Sequence, residues 1–178
     1  MRLRKRAMVL VLAGLFSVVG LHPSTAVAAG SGPWHIGIYE FPKCLEVQGG
    51  SPDNGAQVQL WDCGLTQDHR KWYMQEVQPG WWHIWNKKSG KCLNVKGASP
   101  HNSAKIIQYT CQGAGKYNDQ WKLEYRNTVL QGDLYWIRNR QSKLCLNAQG
   151  ASSANGTDII QYDCSDAWNT LFTWWPGS

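Results

Sequence analysis

Apolar and polar residues alternate in short runs along most of this chain. Val58-Gln59-Leu60-Trp61, Trp81-Trp82-His83-Ile84-Trp85 and Asp133-Leu134-Tyr135-Trp136-Ile137-Arg138 change character almost every residue, which is the period of a strand with one face buried. Clusters of Gly, Pro, Asn and Ser, such as Gly49-Gly50-Ser51-Pro52-Asp53-Asn54-Gly55, separate the runs and mark turns. No stretch of helical period occurs after the N-terminal segment. The pattern predicts an all-β chain.

The runs belong to a repeated phrase. Cys44-Leu45-Glu46-Val47 leads to Trp61-Asp62-Cys63, Cys92-Leu93-Asn94-Val95 to Tyr109-Thr110-Cys111, and Cys145-Leu146-Asn147-Ala148 to Tyr162-Asp163-Cys164. The two cysteines of each copy lie 19 positions apart, and the copies begin 48 and 53 residues apart. A period near 50 means one supersecondary unit used three times, none able to bury its apolar face alone. Each unit predicts four strands: one before the first cysteine, one through it, one ending near the second, and one at Trp72, Trp121 or Phe172. Twelve short strands in three equivalent lobes (about 33–77, 78–126 and 127–175) describe a β-trefoil with pseudo-threefold symmetry.

Residues 1–29 stand apart. Arg2, Arg4, Lys5 and Arg6 precede an apolar run from Ala7 to Leu21, and Ala26-Val27-Ala28-Ala29-Gly30 offers small residues for cleavage. That order is expected of a secretory signal peptide, and the run is shorter than the ~20 apolar residues of a membrane-spanning helix. The expectation is an exported, extracellular protein with no membrane insertion, whose single domain covers 30–178. Four of the eighteen Lys and Arg precede residue 30 and none of the twelve acids does, so the net charge of +6 falls to about +2 on cleavage. A nucleic-acid partner then loses its main support, since phosphate binding calls for a basic stripe. Six cysteines in an oxidising compartment read as disulfides. The repeat selects Cys44 with Cys63, Cys92 with Cys111 and Cys145 with Cys164, one bridge per repeat. Zinc is the competing use, but there is no Cys-x-x-Cys pair or paired histidine motif to support a metal site.

The repeated Cys-Leu-Asn-Val, the Gly-rich turn, Ile-Gln-Tyr-x-Cys and a tryptophan a few residues on resemble the ricin B-type lectin domain, also classed as a family 13 carbohydrate-binding module. The likeness covers about residues 33–175 and leaves no room for a second domain, so it implies a stand-alone secreted binding module. In that family an aromatic ring two residues before the second cysteine stacks on the sugar, a position held here by Trp61, Tyr109 and Tyr162. The usual aspartate two residues after the first cysteine is replaced by Glu46, Asn94 and Asn147. An asparagine exchanges two acceptors for one acceptor and a pair of donors, and gives up charge-assisted bonding. The asparagine that opens the family's Asn-Gln-x-Trp stretch is present as Asn118 and Asn169 and replaced by His69 in the first lobe, while Arg70, Asp119 and Thr170 stand at the glutamine. Lobes 2 and 3 are thus the better candidate sites.

The resemblance implies a lectin, acting as a monomer without a cofactor, for glycans or polysaccharides containing galactose or xylose. Several weak sites on one rigid body suit a polymer. A second reading is a trefoil with degenerate sugar sites that binds a separately encoded protein, as an inhibitor or a toxin-targeting subunit. An enzyme is not expected, because glycoside hydrolysis needs two carboxylates flanking a cleft and the acids here are scattered singly. His35, His69, His83 and His101 recur beside no nucleophile and read as exposed strand residues. Asn155-Gly156-Thr157 matches a glycosylation acceptor, but Asn54-Gly55 and Asn102-Ser103 hold the same place, which favours a turn that tolerates positive φ. Trp81-Trp82 and Trp174-Trp175 are each expected to divide into one core and one surface ring.

Overall fold

The computed structural model describes residues 31–64 and 66–177. The expected export segment at 1–29 lies outside the described residues. Among the described residues there are twelve strands: β1 (Ser31–Ile38), β2 (Lys43–Val47), β3 (Val58–Asp62), β4 (Trp72–Gln78), β5 (Trp81–Asn86), β6 (Cys92–Val95), β7 (Ile106–Tyr109), β8 (Gln120–Val129), β9 (Gly132–Asn139), β10 (Cys145–Ala148), β11 (Ile159–Tyr162) and β12 (Phe172–Pro176). No helix among them is long and apolar enough to cross a membrane.

Six strands close a barrel. β1 pairs with β12 and β4, β5 with β4 and β8, and β9 with β8 and β12, every pair antiparallel. The other six form three hairpins, β2–β3, β6–β7 and β10–β11. Each hangs from the barrel by one pair at its first cysteine or beside it: Gly37 with Cys44, Trp85 with Cys92, and Arg138 with Cys145. The hairpins meet around the pseudo-threefold axis through the bridges Gln57 to Ile107, Gln59 to Asp158 and Lys105 to Ile160. This is the expected β-trefoil, and closure of the barrel leaves it without a free sheet edge.

The core lies where barrel and hairpins join, and the period-2 pattern fills it. Leu45, Leu93 and Leu146 are fully buried together with Val58, Ile106 and Ile159. Trp72, Trp121 and Phe172, at the start of each lobe's last strand, are also fully buried. Burial obliges an indole N–H to find an acceptor. Trp72 Nε1 donates to the Leu45 carbonyl at 3.0 Å and Trp121 Nε1 to the Leu93 carbonyl at 2.9 Å. Phe172 needs no such bond. The three disulfides close within their own lobes, in the symmetric pairing.

Polar residues lock lobe to lobe. Gln108 is buried, yet its Nε2 donates to the Ser51 and Asp53 carbonyls of the preceding lobe at 2.8 and 2.9 Å, while its Oε1 accepts from Ser89. Gln161 repeats the arrangement with Ser99, His101 and Ser142. Asn54, Asn102 and Asn155 each reach from a hairpin turn to the next lobe, to Thr110, Asp163 and Asp62. Gly55, Ser103 and Gly156, which follow them, have φ of 88°, 66° and 86°, the positive φ expected of that turn.

Two expectations need correction. Trp81, Trp82, Trp174 and Trp175 are all half-buried rather than split between core and surface. Trp82 and Trp174 lean on the core, while Trp175 lies over Gly37, where a Cβ would come within 2.4 Å of the ring. None of the four histidines is an exposed strand residue: His35 is fully buried beside Trp175, with neither ring nitrogen hydrogen-bonded, His69 is half-buried in a 3-10 turn, His83 is half-buried on β5, and His101 is exposed but lies in a turn outside the strands. A two-residue period tells which face a side chain takes, but a closed barrel wrapped by hairpins covers parts of both faces.

Candidate functional site

In each lobe the chain folds one groove from the hairpin, the turn after its first strand and the loop leading into the last barrel strand. The turn is sharp because Gly49, Gly97 and Gly150 take φ of 60°, 65° and 66°. A Cβ at Gly97 would meet nothing within 4 Å, so its glycine serves backbone conformation and not space.

The grooves bring together the residues singled out by the repeat. Glu46, Trp61 and His69 line the first, of about 580 Å³. Asn94, Tyr109 and Asn118 line the second, of about 590 Å³. Asn147, Tyr162 and Asn169 line the third, of about 390 Å³. The rings stand at the rim: Tyr109 is 40% exposed and Tyr162 43%, whereas Trp61 is half-buried.

The polar floors differ. In lobe 2, Asn118 Nδ2 donates to Asn94 Oδ1 at 3.0 Å and to the Val95 carbonyl at 3.3 Å. Lobe 3 repeats this, with Asn169 Nδ2 on Asn147 Oδ1 at 3.2 Å and on the Ala148 carbonyl at 3.3 Å. There Asn147 Nδ2 is also satisfied, donating to Thr170 Oγ1 at 3.1 Å. Asn94 Nδ2 has no acceptor although Asn94 is only 3% exposed. The corresponding residue beneath it is Asp119, one of whose oxygens accepts the Gln112 backbone N–H at 2.7 Å while the other lies 3.4 Å from His83 Nε2.

Lobe 1 is wired differently. Glu46 is buried, with Oε1 accepting from Gln59 Nε2 at 2.8 Å and Oε2 from Arg70 Nε at 2.6 Å. His69 Nε2 approaches the same carboxylate at 3.4 Å. Burial holds the His69 imidazole below its ordinary 6.5, with Glu46 pulling the other way, so the ring is neutral at pH 7. The carboxylate is committed to the protein's own side chains and is not free to accept from a sugar.

Arg70 and Thr170 complete the floor through contacts that the repeat pattern alone does not reveal. The repeat places them beside His69 and Asn169, but only the fold shows that one engages Glu46 and the other Asn147. His83, Cys92 and Cys111 gather their ligand atoms within 4.8 Å, but both sulfurs belong to a disulfide and supply no thiolate.

A closed barrel with three hairpin lobes, each placing an aromatic ring beside a buried polar floor, defines a β-trefoil of the lectin class. The family model described as "Ricin-type beta-trefoil lectin domain-like" matches residues 68–162, just over half of the chain, and the chain belongs to that family. No curated protein matches it. Among solved structures, the designed threefold-symmetric protein ThreeFoil is 28% identical with a TM-score of 0.72, over 81% of this chain and 98% of its own. An exo-β-1,3-galactanase from Clostridium thermocellum has the same identity and TM-score, but the match takes in 30% of the enzyme. The earthworm R-type lectin C-half, solved with GalNAc, is 17% identical with a TM-score of 0.62, over 81% of this chain and 98% of its own, and shows the shared fold alone. A lectin-type β-trefoil supports carbohydrate binding in general.

Proposed function

We propose that this chain is a secreted carbohydrate-binding protein, non-catalytic and monomeric, that holds glycans or polysaccharide in the grooves of lobes 2 and 3. The observation that carries this is the pairing, in two lobes, of an exposed tyrosine with an asparagine couple whose oxygen and nitrogen positions are fixed by hydrogen bonds. Sugar recognition in water needs an apolar face under the ring and a few preset polar groups at its edge. Lobe 1 contributes less, because Glu46 is already spent on Arg70 and Gln59. The basic, apolar and small-residue order of 1–29 supports export. The likeness to part of a galactanase makes galactose-containing polysaccharide the first target to try.

The test is a binding screen on galactans and xylans, run beside a Tyr109→Ala/Tyr162→Ala variant. Binding by the protein and its loss in the variant would support the reading. Binding retained in full by the variant would move the site elsewhere, and a folded protein that binds no glycan would refute carbohydrate recognition.

A further inference from the structure

The grooves of lobes 2 and 3 share an asparagine couple and a tyrosine, yet they differ in charge. Lys96 and Lys116 both line the lobe-2 groove, and no acidic residue lines it. Both lysines are exposed, and neither has a carboxylate partner among the described residues. Lys43, Lys87 and Lys105 offer a contrast, pairing with Asp62, Asp68 and Asp158. The positions of Lys96 and Lys116 are held in the other lobes by Gln48 and Gln67, and by Gln149 and Ala167. Among the described residues that line the three grooves, cations without a carboxylate partner occur in lobe 2 alone.

A second observation points into the same groove. Asn94 Nδ2 is buried, donates to nothing, and sits on a side chain whose oxygen is already taken by Asn118. An unpaired buried donor is costly, and a ligand oxygen would relieve the cost. Arg140 stacks on Tyr117 at 4.2 Å and donates to Gln120 Oε1 at 2.6 Å, while the buried Asp119 carboxylate faces the Gln112 N–H and His83 and does not line the groove. A carboxylate at position 94, such as lobe 1 has in Glu46, would repel an anion; the asparagine does not.

We propose that the lobe-2 groove selects a pyranose bearing a negative group, a carboxylate or a sulfate ester. Tyr109 lies under the ring, Lys96 and Lys116 meet the anion, and Asn94 Nδ2 donates to a neighbouring ring substituent. This deepens the carbohydrate-binding reading above and rests on it. Lobe 3, with the same couple and no cation, takes neutral sugar.

The experiment is calorimetric titration of the protein with trigalacturonate, with its methyl ester, in which the ring is unchanged and the charge is gone, and with a 6-sulfated galactose oligosaccharide. The expected result is an affinity about tenfold higher for the acid or the sulfate than for the ester, the factor that one charge-assisted contact supplies, shrinking as salt is raised. Which anion binds tighter identifies the group. Lys96→Gln/Lys116→Gln should abolish the preference, bringing acid and ester to equal affinity, and both positions are exposed. Tyr109→Ala should weaken the acid as well. Equal affinity for acid and ester would overturn the proposal, as would a preference that survives in the lysine variant. Acid binding undiminished by Tyr109→Ala would also overturn it, since a diffuse field would then be responsible. If neutral oligosaccharides bind without an acid preference, this inference alone falls; if no saccharide binds, the carbohydrate reading falls with it.

Discussion

Asn94 and Asn147 occupy the same strand position in successive lobes and differ by one bond, the one from Asn147 Nδ2 to Thr170 Oγ1. Thr170 is fully buried, so Thr170→Val would leave that amide unpaired at almost constant volume. The expected cost is about 1–3 kcal/mol, to be read from the denaturant midpoint. The tyrosines beside these asparagines should each add roughly two- to tenfold to affinity, from the ~0.5–1.5 kcal/mol that a well-placed aromatic contact supplies beyond burial; single alanine variants titrated with the same oligosaccharide measure it. His35 bears on stability instead. Burial, and after it the charge of Lys71, hold its pKa below 6.5, so the folded protein resists a proton that the unfolded chain accepts. Its contribution is intact above pH 6.5 and is lost as pH falls from there toward the folded pKa. His35→Phe keeps a ring against Trp175 and should flatten the fall in Tm between pH 7.5 and 5; an unchanged slope would assign the acid sensitivity to other groups.

At the scale of strands and hairpins, much is legible in the sequence. Alternation located the strands, the repeat located the lobes, and Leu45, Leu93 and Leu146 fell on the buried face as their period requires. Gln108 and Gln161 were not legible in their role. Their period places them inward, but nothing local names their partners, which are backbone carbonyls on the preceding lobe. Lobe 1 has the fully buried Leu60 at this place. Gln161→Leu is therefore predicted to cost about 1–3 kcal/mol, because it strands the Ser99 and His101 carbonyls; a loss near zero would mean that water replaces the amide. The candidate site divides in the same way. Its positions follow from the repeat, whereas its chemistry depends on Arg70 under Glu46 and Thr170 under Asn147, contacts that only the closing loop creates.

Taken whole, the molecule is a rigid body with grooves facing outward from three lobes. Rigidity is reinforced by the disulfides, each joining cysteines 19 apart in sequence and worth about 3 kcal/mol in the chain-entropy model. Set against a typical total of 5–15 kcal/mol, full reduction should remove most of the stability, seen in calorimetry as a lowered or absent thermal transition. Two fixed grooves on one body also raise apparent affinity for a polymer over that for its monomer, by ~10²–10⁴ where both engage together. That gain requires two working lobes. The most direct test is an NMR titration with a galactose-containing oligosaccharide that follows the side-chain amides of Asn94, Asn118, Asn147 and Asn169 and the indole of Trp61. The account predicts saturable shifts in all four amides with little change at Trp61. Shifts confined to another face, or to lobe 1, would contradict it.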